Sequence, residues 1–163
     1  MAVTQSYSHA SVAVTALNSL SGGAWASGAE IDNSSGTYQE ILIGGVIAFG
    51  SSHVAGDVVR IYIRARHSAT STDTTGAISG DDIADEAETE GTDFSTENLI
   101  PIGEVHCDAA SDAQHWGPWS IAALFGGHMP EYCGPIFHNV DASAALAASG
   151  HSCDINRIQY TSA

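Results

Sequence analysis

The strongest constraint on the fold is the strict alternation of side chains in GDVVRIYIRAR, residues 56–66. Successive side chains of a β-strand point to opposite faces of the sheet. The segment therefore presents one aliphatic face and one basic, aromatic face, and the second face consists of Arg60, Tyr62, Arg64 and Arg66. This pattern predicts a half-buried β-strand.

Further short β-like runs, separated by Gly, Ser, Asn and Asp, recur along the chain. They cover residues 11–17, 37–50, 98–107, 117–124, 131–140 and 151–160. Gly44-Gly45 marks a bulge or bend in the second run. Helical periodicity is weak, and only the Ala-rich segment 143–149 suggests a helix, which is short enough to be a single turn. Seven or eight short strands with turn signals between them predict an all-β fold, a β-sandwich or a barrel.

The length of 163 residues is that of one typical domain, and a hydrophobic content of 44% is normal for a globular protein. We therefore predict a single β-sandwich domain over residues 11–163. The preceding segment, residues 1–10, is polar and shows no strand pattern. It is predicted to be a flexible N-terminal arm that can reach a neighbouring subunit.

The charge balance is strongly acidic, with 19 Asp and Glu residues against four arginines, no lysine and a formal net charge of −15. Such a charge repels phosphate backbones and anionic lipid surfaces, so neither nucleic acid nor a membrane is an expected partner. Eight of the acidic residues lie within residues 80–97, which we predict to be a long, solvated loop inserted between strands. Calcium binding stays open there, although the segment does not fit an EF-hand loop.

No segment of the sequence predicts export or membrane insertion. The N-terminus lacks a positively charged start followed by an apolar run. The longest apolar run, residues 41–50, has about half the length that a membrane-spanning helix needs. Cys107, Cys133 and Cys153 are odd in number and form no CxxC pair. We expect reduced, structural thiols in a protein made in a host cytoplasm.

The stretch FGGHMPEYCGPIFHN, residues 125–139, holds residue types that ligate metals or act as nucleophiles: His128, Glu131, Cys133 and His138. If residues 131–140 form a strand, Cys133 and His138 point to opposite faces because they are five positions apart. Pro135 argues for an edge position of that strand. The closely spaced ligand pairs typical of structural zinc sites do not occur. We therefore predict no metal, no cofactor and no catalytic residue, and we expect that the protein is not an enzyme.

Two groups of residues are candidates for a protein interface. The face formed by Arg60, Tyr62, Arg64 and Arg66 holds three of the four positive charges, and Arg and Tyr are enriched in interfaces. An alternative is a solvent face whose charges are offset by nearby carboxylates. Trp116, before Gly117-Pro118, is predicted to lie at a rim, whereas Trp119 in an apolar run is predicted to be in the core.

The C-terminal third resembles a segment of small structural proteins of tailed-phage virions. It reads GPWSIAALFGGHMPEYCGPIFHNVDASAALAASG, residues 117–150. The runs WASGAEIDNSSGTYQEILIGGVI (25–47), GDVVRIYIRA (56–65) and NLIPIGEV (98–105) are similar to earlier segments of the same family, in the same order. Together they cover about two-thirds of the chain, and their motifs mark turns and strands rather than catalytic groups.

The resemblance implies a jelly-roll-like antiparallel β-sandwich of about eight strands that decorates or cements a phage capsid. It also implies that the chain contacts the major capsid protein and copies of itself, as a homotrimer or another homo-oligomer. The negative charge suits the outer capsid surface, away from packaged DNA.

Two other functions stay open at this point. A carbohydrate-binding or host-recognition module of a tail or fibre can use the same sandwich, with Trp116 or Trp25 stacking on sugar rings. A small hydrolase that uses the cysteines or histidines is the other.

Overall fold

Two antiparallel β-sheets form the protein. The computed structural model describes residues 3–66, 87–88 and 99–162. The strands are β1 (Val3–Ser11), β2 (Trp25–Ser27), β3 (Ile31–Asp32), β4 (Glu40–Ala48), β5 (Val58–Arg66), β6 (Ala87–Glu88), β7 (Ile100–His106), β8 (Ala113–Ser120), β9 (Tyr132–Asn139) and β10 (Ser152–Ser162). A 3-10 turn spans Thr15–Leu17, and a single-turn helix, α1, spans Ile121–Leu124.

The order of the strands is that of a jelly roll. One sheet has the order β1-β10-β4-β8, and the other has the order β6-β2-β9-β5-β7, with β3 also paired to β9. If β2 and β3 count as one interrupted strand and the two-residue β6 is set aside, eight strands remain. The first pairs with the eighth, the second with the seventh, the third with the sixth and the fourth with the fifth. This nested pairing confirms the predicted all-β, jelly-roll-like sandwich.

The main core lies between the two sheets and is built from the aliphatic faces of the strands. Val59, Ile61 and Ile63 of β5 are fully buried in it, as the alternation in the sequence predicts. They meet Ile41, Ile43 and Ile47 of β4. A smaller cluster of Trp25, Leu99 and Ile136, with Tyr62 packed against it, is separate from this core.

Strand β9 is central in its sheet, so the prediction of an edge position for residues 131–140 is wrong. It pairs with β5 on one side and with β2 and β3 on the other. Pro135 is tolerated because it faces the gap between β2 and β3, where its carbonyl accepts a hydrogen bond from Gly28 N at 2.8 Å. The N–H that proline lacks points to the same side as its carbonyl, so no hydrogen bond to β5 is lost.

The N-terminal segment also differs from prediction. Residues 3–11 form β1 rather than a strand-less arm, and residues 11–17 form no strand after Ser11. Every residue of β1 except Ala10 is exposed, so the strand has no buried face and leaves no apolar alternation in the sequence. Residues 143–149 are not helical, and the second half of the run 117–124 forms α1 instead of a strand.

The acidic insertion lies mostly outside the described residues. Within 80–97 the structure describes only Ala87–Glu88, whose backbone pairs with Trp25 and Ala26 of β2. The predictions of a solvated loop and of calcium binding at residues 80–97 therefore fall outside the described part of the chain. In that described part, no helix has the length and apolar character needed to cross a membrane.

Candidate functional site

The residues of FGGHMPEYCGPIFHN do not converge on one site. The turn that precedes β9 places His128 and Glu131 in solvent, with Gly126 and Gly127 at positive φ. Cys133 is fully buried in the main core. His138, on the opposite face of β9, stacks on Trp25 with ring centroids 4.1 Å apart. The period of two therefore separates Cys133 from His138, as the sequence indicates.

All three thiols are buried. Cys107, Cys133 and Cys153 are each at most 1% exposed. Burial raises the pKa of Cys133 and of Cys153 to about 12, and it also raises the pKa of Cys107. The thiolate is the nucleophilic form of cysteine, and at neutral pH these side chains are neutral thiols. Their environment suits packing rather than covalent chemistry.

The predicted Arg and Tyr face is divided by burial. Arg60 is exposed, and its Nε donates a 2.8 Å hydrogen bond to Glu104 Oε1 on β7, which raises the pKa of Arg60. Tyr62 is half-buried against Trp25, at 5.5 Å between ring centroids. Arg64 is only 2% exposed, and the side chain of Arg66 lies outside the described residues. An interface role stays a prediction for Arg60 and Tyr62, and Arg64 is not available to a partner.

The tryptophans differ from prediction because of a bulge. The register between β4 and β8 shifts between Ile43 and Gly45, so Trp116 pairs with Gly45 and Trp119 with Ile43. Both rings then point the same way, with centroids 5.5 Å apart. The predicted rim position of Trp116 is wrong: it is buried in the core, edge-on to Phe137.

Trp119, predicted to be in the core, is half-buried, packs against the main core and reaches across to β7. A Cβ built on Gly103 of β7 would lie 2.5 Å from the Trp119 ring, so the ring needs a glycine beneath it. With Trp25 and Trp116 both 5% exposed or less, neither tryptophan offers a free ring face on which a sugar can stack.

His53, Asp57 and Asp141 form the one group of potential metal ligands within the described ranges, with one ligand atom from each lying within 4.8 Å of the others. Imidazole and carboxylates can bind a divalent cation. Asp57 Oδ2 accepts a hydrogen bond from Val54 N and lies 3.1 Å from His53 Nδ1. Asp141 Oδ1 accepts from Ser143 N and Oγ, which lowers the pKa of Asp141. These bonds close two turns and give each carboxylate a structural role.

The most unusual surface is the ribbon of β1 and β10, which sequence reasoning missed. Three of its large side chains are exposed: Val3 and Tyr7, each at 68%, and Tyr160 at 47%. Gln5 Nε2 donates a 3.2 Å hydrogen bond to the Tyr160 hydroxyl across the ribbon. The sequence feature that could have indicated this surface is the absence of Asp, Glu, Lys and Arg from residues 3–11, VTQSYSHAS.

Comparisons with known proteins do not identify a family for this chain. No protein-family model matches the chain, and no curated protein matches it significantly. Among solved structures, the chain is similar to the "D431N Mutant VP2 Protein of Infectious Bursal Disease Virus; Derived T=1 Particles", with 15% identity and a TM-score of 0.21. The match covers 98% of this chain and 39% of that one. A TM-score of 0.21 carries no argument about fold or function.

Proposed function

We propose that this chain is a structural protein of a virion that decorates or cements the outer surface of a phage capsid. The observation that carries the proposal is the nested jelly-roll pairing of its strands, an architecture that viral capsid proteins use. A fold alone does not assign a function. The resemblance of residues 117–150 to virion structural proteins therefore supplies the second support.

The positions that carry that resemblance have structural roles in this protein. Gly117, with φ of 72°, lies so close to β4 that an added Cβ would be 2.5 Å from Ile43 O. Asn139, at the end of β9, is fully buried. The matching residues thus specify turns and close packing, which supports a structural protein rather than an enzyme.

Charge supports the outer surface of a capsid as the location. A net charge of −15 is repelled by packaged DNA and is tolerated on a face turned to solvent. The proposed partners are the major capsid protein and further copies of this chain, without nucleic acid, membrane, catalytic residues or cofactor. Decoration would stabilise the shell because a ligand that binds only the closed shell disfavours its opening.

The proposal is tested by adding the purified protein to capsids that lack it and measuring co-sedimentation and the temperature at which the shells open. We expect saturable binding and a higher opening temperature, and image reconstruction of the particle should show the jelly roll on its outer face. A protein that stays in the supernatant and leaves the opening temperature unchanged would overturn the proposal.

Arg60→Ala and Glu104→Ala provide a matched pair for the same assay, since each removes one side of an exposed ion pair. Such pairs contribute about 0–1 kcal/mol to stability, so both variants should fold. If Arg60 docks on the capsid, only Arg60→Ala weakens binding. Equal binding by the two variants would remove Arg60 from the interface.

A further inference from the structure

The four-stranded sheet ends in a free edge formed by β1. This strand pairs with β10 over nine consecutive residues, from Val3 opposite Ser162 to Ser11 opposite Asp154. No other described strand pairs with its outer side, because β1 is the terminal strand of the order β1-β10-β4-β8. A free sheet edge presents unpaired backbone donors and acceptors.

The register identifies which backbone groups are free. Val12 N donates a 2.8 Å hydrogen bond to Cys153 O, which fixes the direction of the next backbone group beyond β1. In an antiparallel pair, successive residues turn their N–H and C=O alternately toward and away from the partner strand. The even-numbered residues of β1 therefore face β10. Val3, Gln5, Tyr7 and His9 direct their backbone groups outward.

This edge lacks the features that protect the other described edges of the two sheets. Strand β8 ends its sheet with Pro118, β7 ends the other with Pro101, and β6 is only two residues long. Proline, short length, charge and bulges are the common means of blocking strand addition. Residues 3–11 contain no proline, Asp, Glu, Lys or Arg, and their register with β10 is unbroken.

A second copy of this chain is the partner that the edge fits. Two molecules of charge −15 approach each other most easily where charged side chains are absent, and β1 provides such a place. An antiparallel pair of identical strands about a two-fold axis at Tyr7 places Gln5 opposite His9 and Val3 opposite Ser11. No like charges then oppose each other, and opposed like charges destabilise cross-strand pairs.

We propose that β1 pairs edge to edge, in antiparallel orientation, with β1 of a second copy, joining two four-stranded sheets into one continuous sheet of eight strands. Nine residues give a shared edge of about 30 Å. The exposed rings of Tyr7 from the two copies would meet at the axis, beside Val3 and Tyr160. This inference specifies the self-association within the proposed function and rests on that function only for its biological setting.

The test is the molar mass of the purified protein by sedimentation velocity over a range of concentrations. We expect a dimer of the 16.8 kDa chain. Gln5→Pro removes an outward N–H and keeps every backbone hydrogen bond to β10, losing there only the exposed side-chain bond to Tyr160. Tyr7→Glu sets two carboxylates against each other at the axis. Each should raise the dimer dissociation constant roughly tenfold or more. Val54→Glu, at another exposed apolar residue (63%), adds the same charge elsewhere and should remain dimeric.

Circular dichroism and thermal melting of each variant verify that the jelly roll is intact. A native protein that is monomeric throughout, or a dimer unaffected by both β1 variants, would overturn the inference. So would a monomer whose binding to capsids is lost in Gln5→Pro, since the edge would then serve the capsid protein. A dimer that forms through β1 but does not bind capsids would overturn the proposed function and leave this inference standing.

Discussion

Asn139 is the residue on which the connections at one end of the sandwich depend. It is fully buried at the end of β9. Its Nδ2 donates to Ala144 O at 2.7 Å and lies 3.3 Å from the carbonyl oxygens of Leu20 and Ser21. One amide thus joins two irregular segments to a central strand, which explains an asparagine at this point of the sequence.

We predict that Asn139→Ala lowers the free energy of unfolding by about 1–3 kcal/mol, because the buried carbonyl of Ala144 loses its side-chain donor. Leu20 O and Ser21 O keep the backbone donors Leu146 N and Ala24 N. Urea denaturation of the native protein and the variant measures this difference. Asn18→Ala is the control, because Asn18 is exposed and directly follows the 3-10 turn Thr15–Leu17. It should change the free energy of unfolding by less than about 0.5 kcal/mol. Equal effects of the two substitutions would contradict the structural role of Asn139.

At the scale of elements, His151 connects the end of β4 to the segment before β10. Its Nδ1 accepts a hydrogen bond from Ala48 N at 3.2 Å, and its Nε2 donates to Ala147 O at 2.9 Å. This pair of bonds requires the neutral tautomer with the proton on Nε2. Burial lowers the pKa of His151 below 6.5, against the opposing effect of the bond to Ala147.

This geometry predicts a pH dependence of stability. The unfolded state takes up a proton at a pH of about 6.5, above the pKa of the folded state, so the contribution of His151 is present above that pH. It is lost as the pH falls from about 6.5 through the folded-state pKa. His151→Gln can keep both hydrogen bonds without titrating. Its free energy of unfolding should therefore fall less steeply between about pH 7 and pH 5, and an unchanged slope would contradict the assignment.

The elements also show where sequence reasoning succeeds and where it fails. Alternation located β5 because one of its faces is buried, and it placed Cys133 and His138 on opposite faces of β9. It missed β1 because a strand exposed on both faces has no apolar period. Pro135 led to the wrong prediction that residues 131–140 form an edge strand. A proline is tolerated in a central strand where the neighbouring strand is interrupted.

The candidate surfaces were less predictable than the strands. A bulge or bend was expected at Gly44-Gly45 of β4, but the extra residue lies in β8, where Gly117 and Pro118 together stand opposite Gly44. A one-residue shift in register reverses the faces of all later side chains, and this reversal buries Trp116. The burial of Arg64 depends on tertiary packing that alternation alone does not specify.

At the scale of the whole molecule, net charge opposes any association between copies. Two chains of charge −15 repel each other, and salt screens that repulsion over a Debye length of about 10 Å at 0.1 M. If the contact is the uncharged edge of β1, added salt should strengthen the dimer. We therefore expect a lower dissociation constant at 0.5 M than at 0.05 M NaCl, measured by sedimentation equilibrium.

The opposite salt dependence would identify a different contact. Pairing between Arg60 of one copy and acidic residues of another is an attraction between charges, and salt would weaken it. A dissociation constant that rises with salt would thus favour the Arg and Tyr face over the β1 edge. The net charge of the molecule makes this measurement decisive between the two surfaces.

The nested pairing of the strands also determines when β1 can form during synthesis and folding. Val3 has its partner at Ser162, and Ser11 has its partner at Asp154. Among the described strands, β1 therefore pairs only with residues translated more than a hundred positions later. Contacts between such distant segments form late because closing long loops costs entropy. The edge of β1 is therefore presented only by a chain whose last strand is in place, and pairing through it would admit finished molecules to an assembly while leaving incomplete ones out.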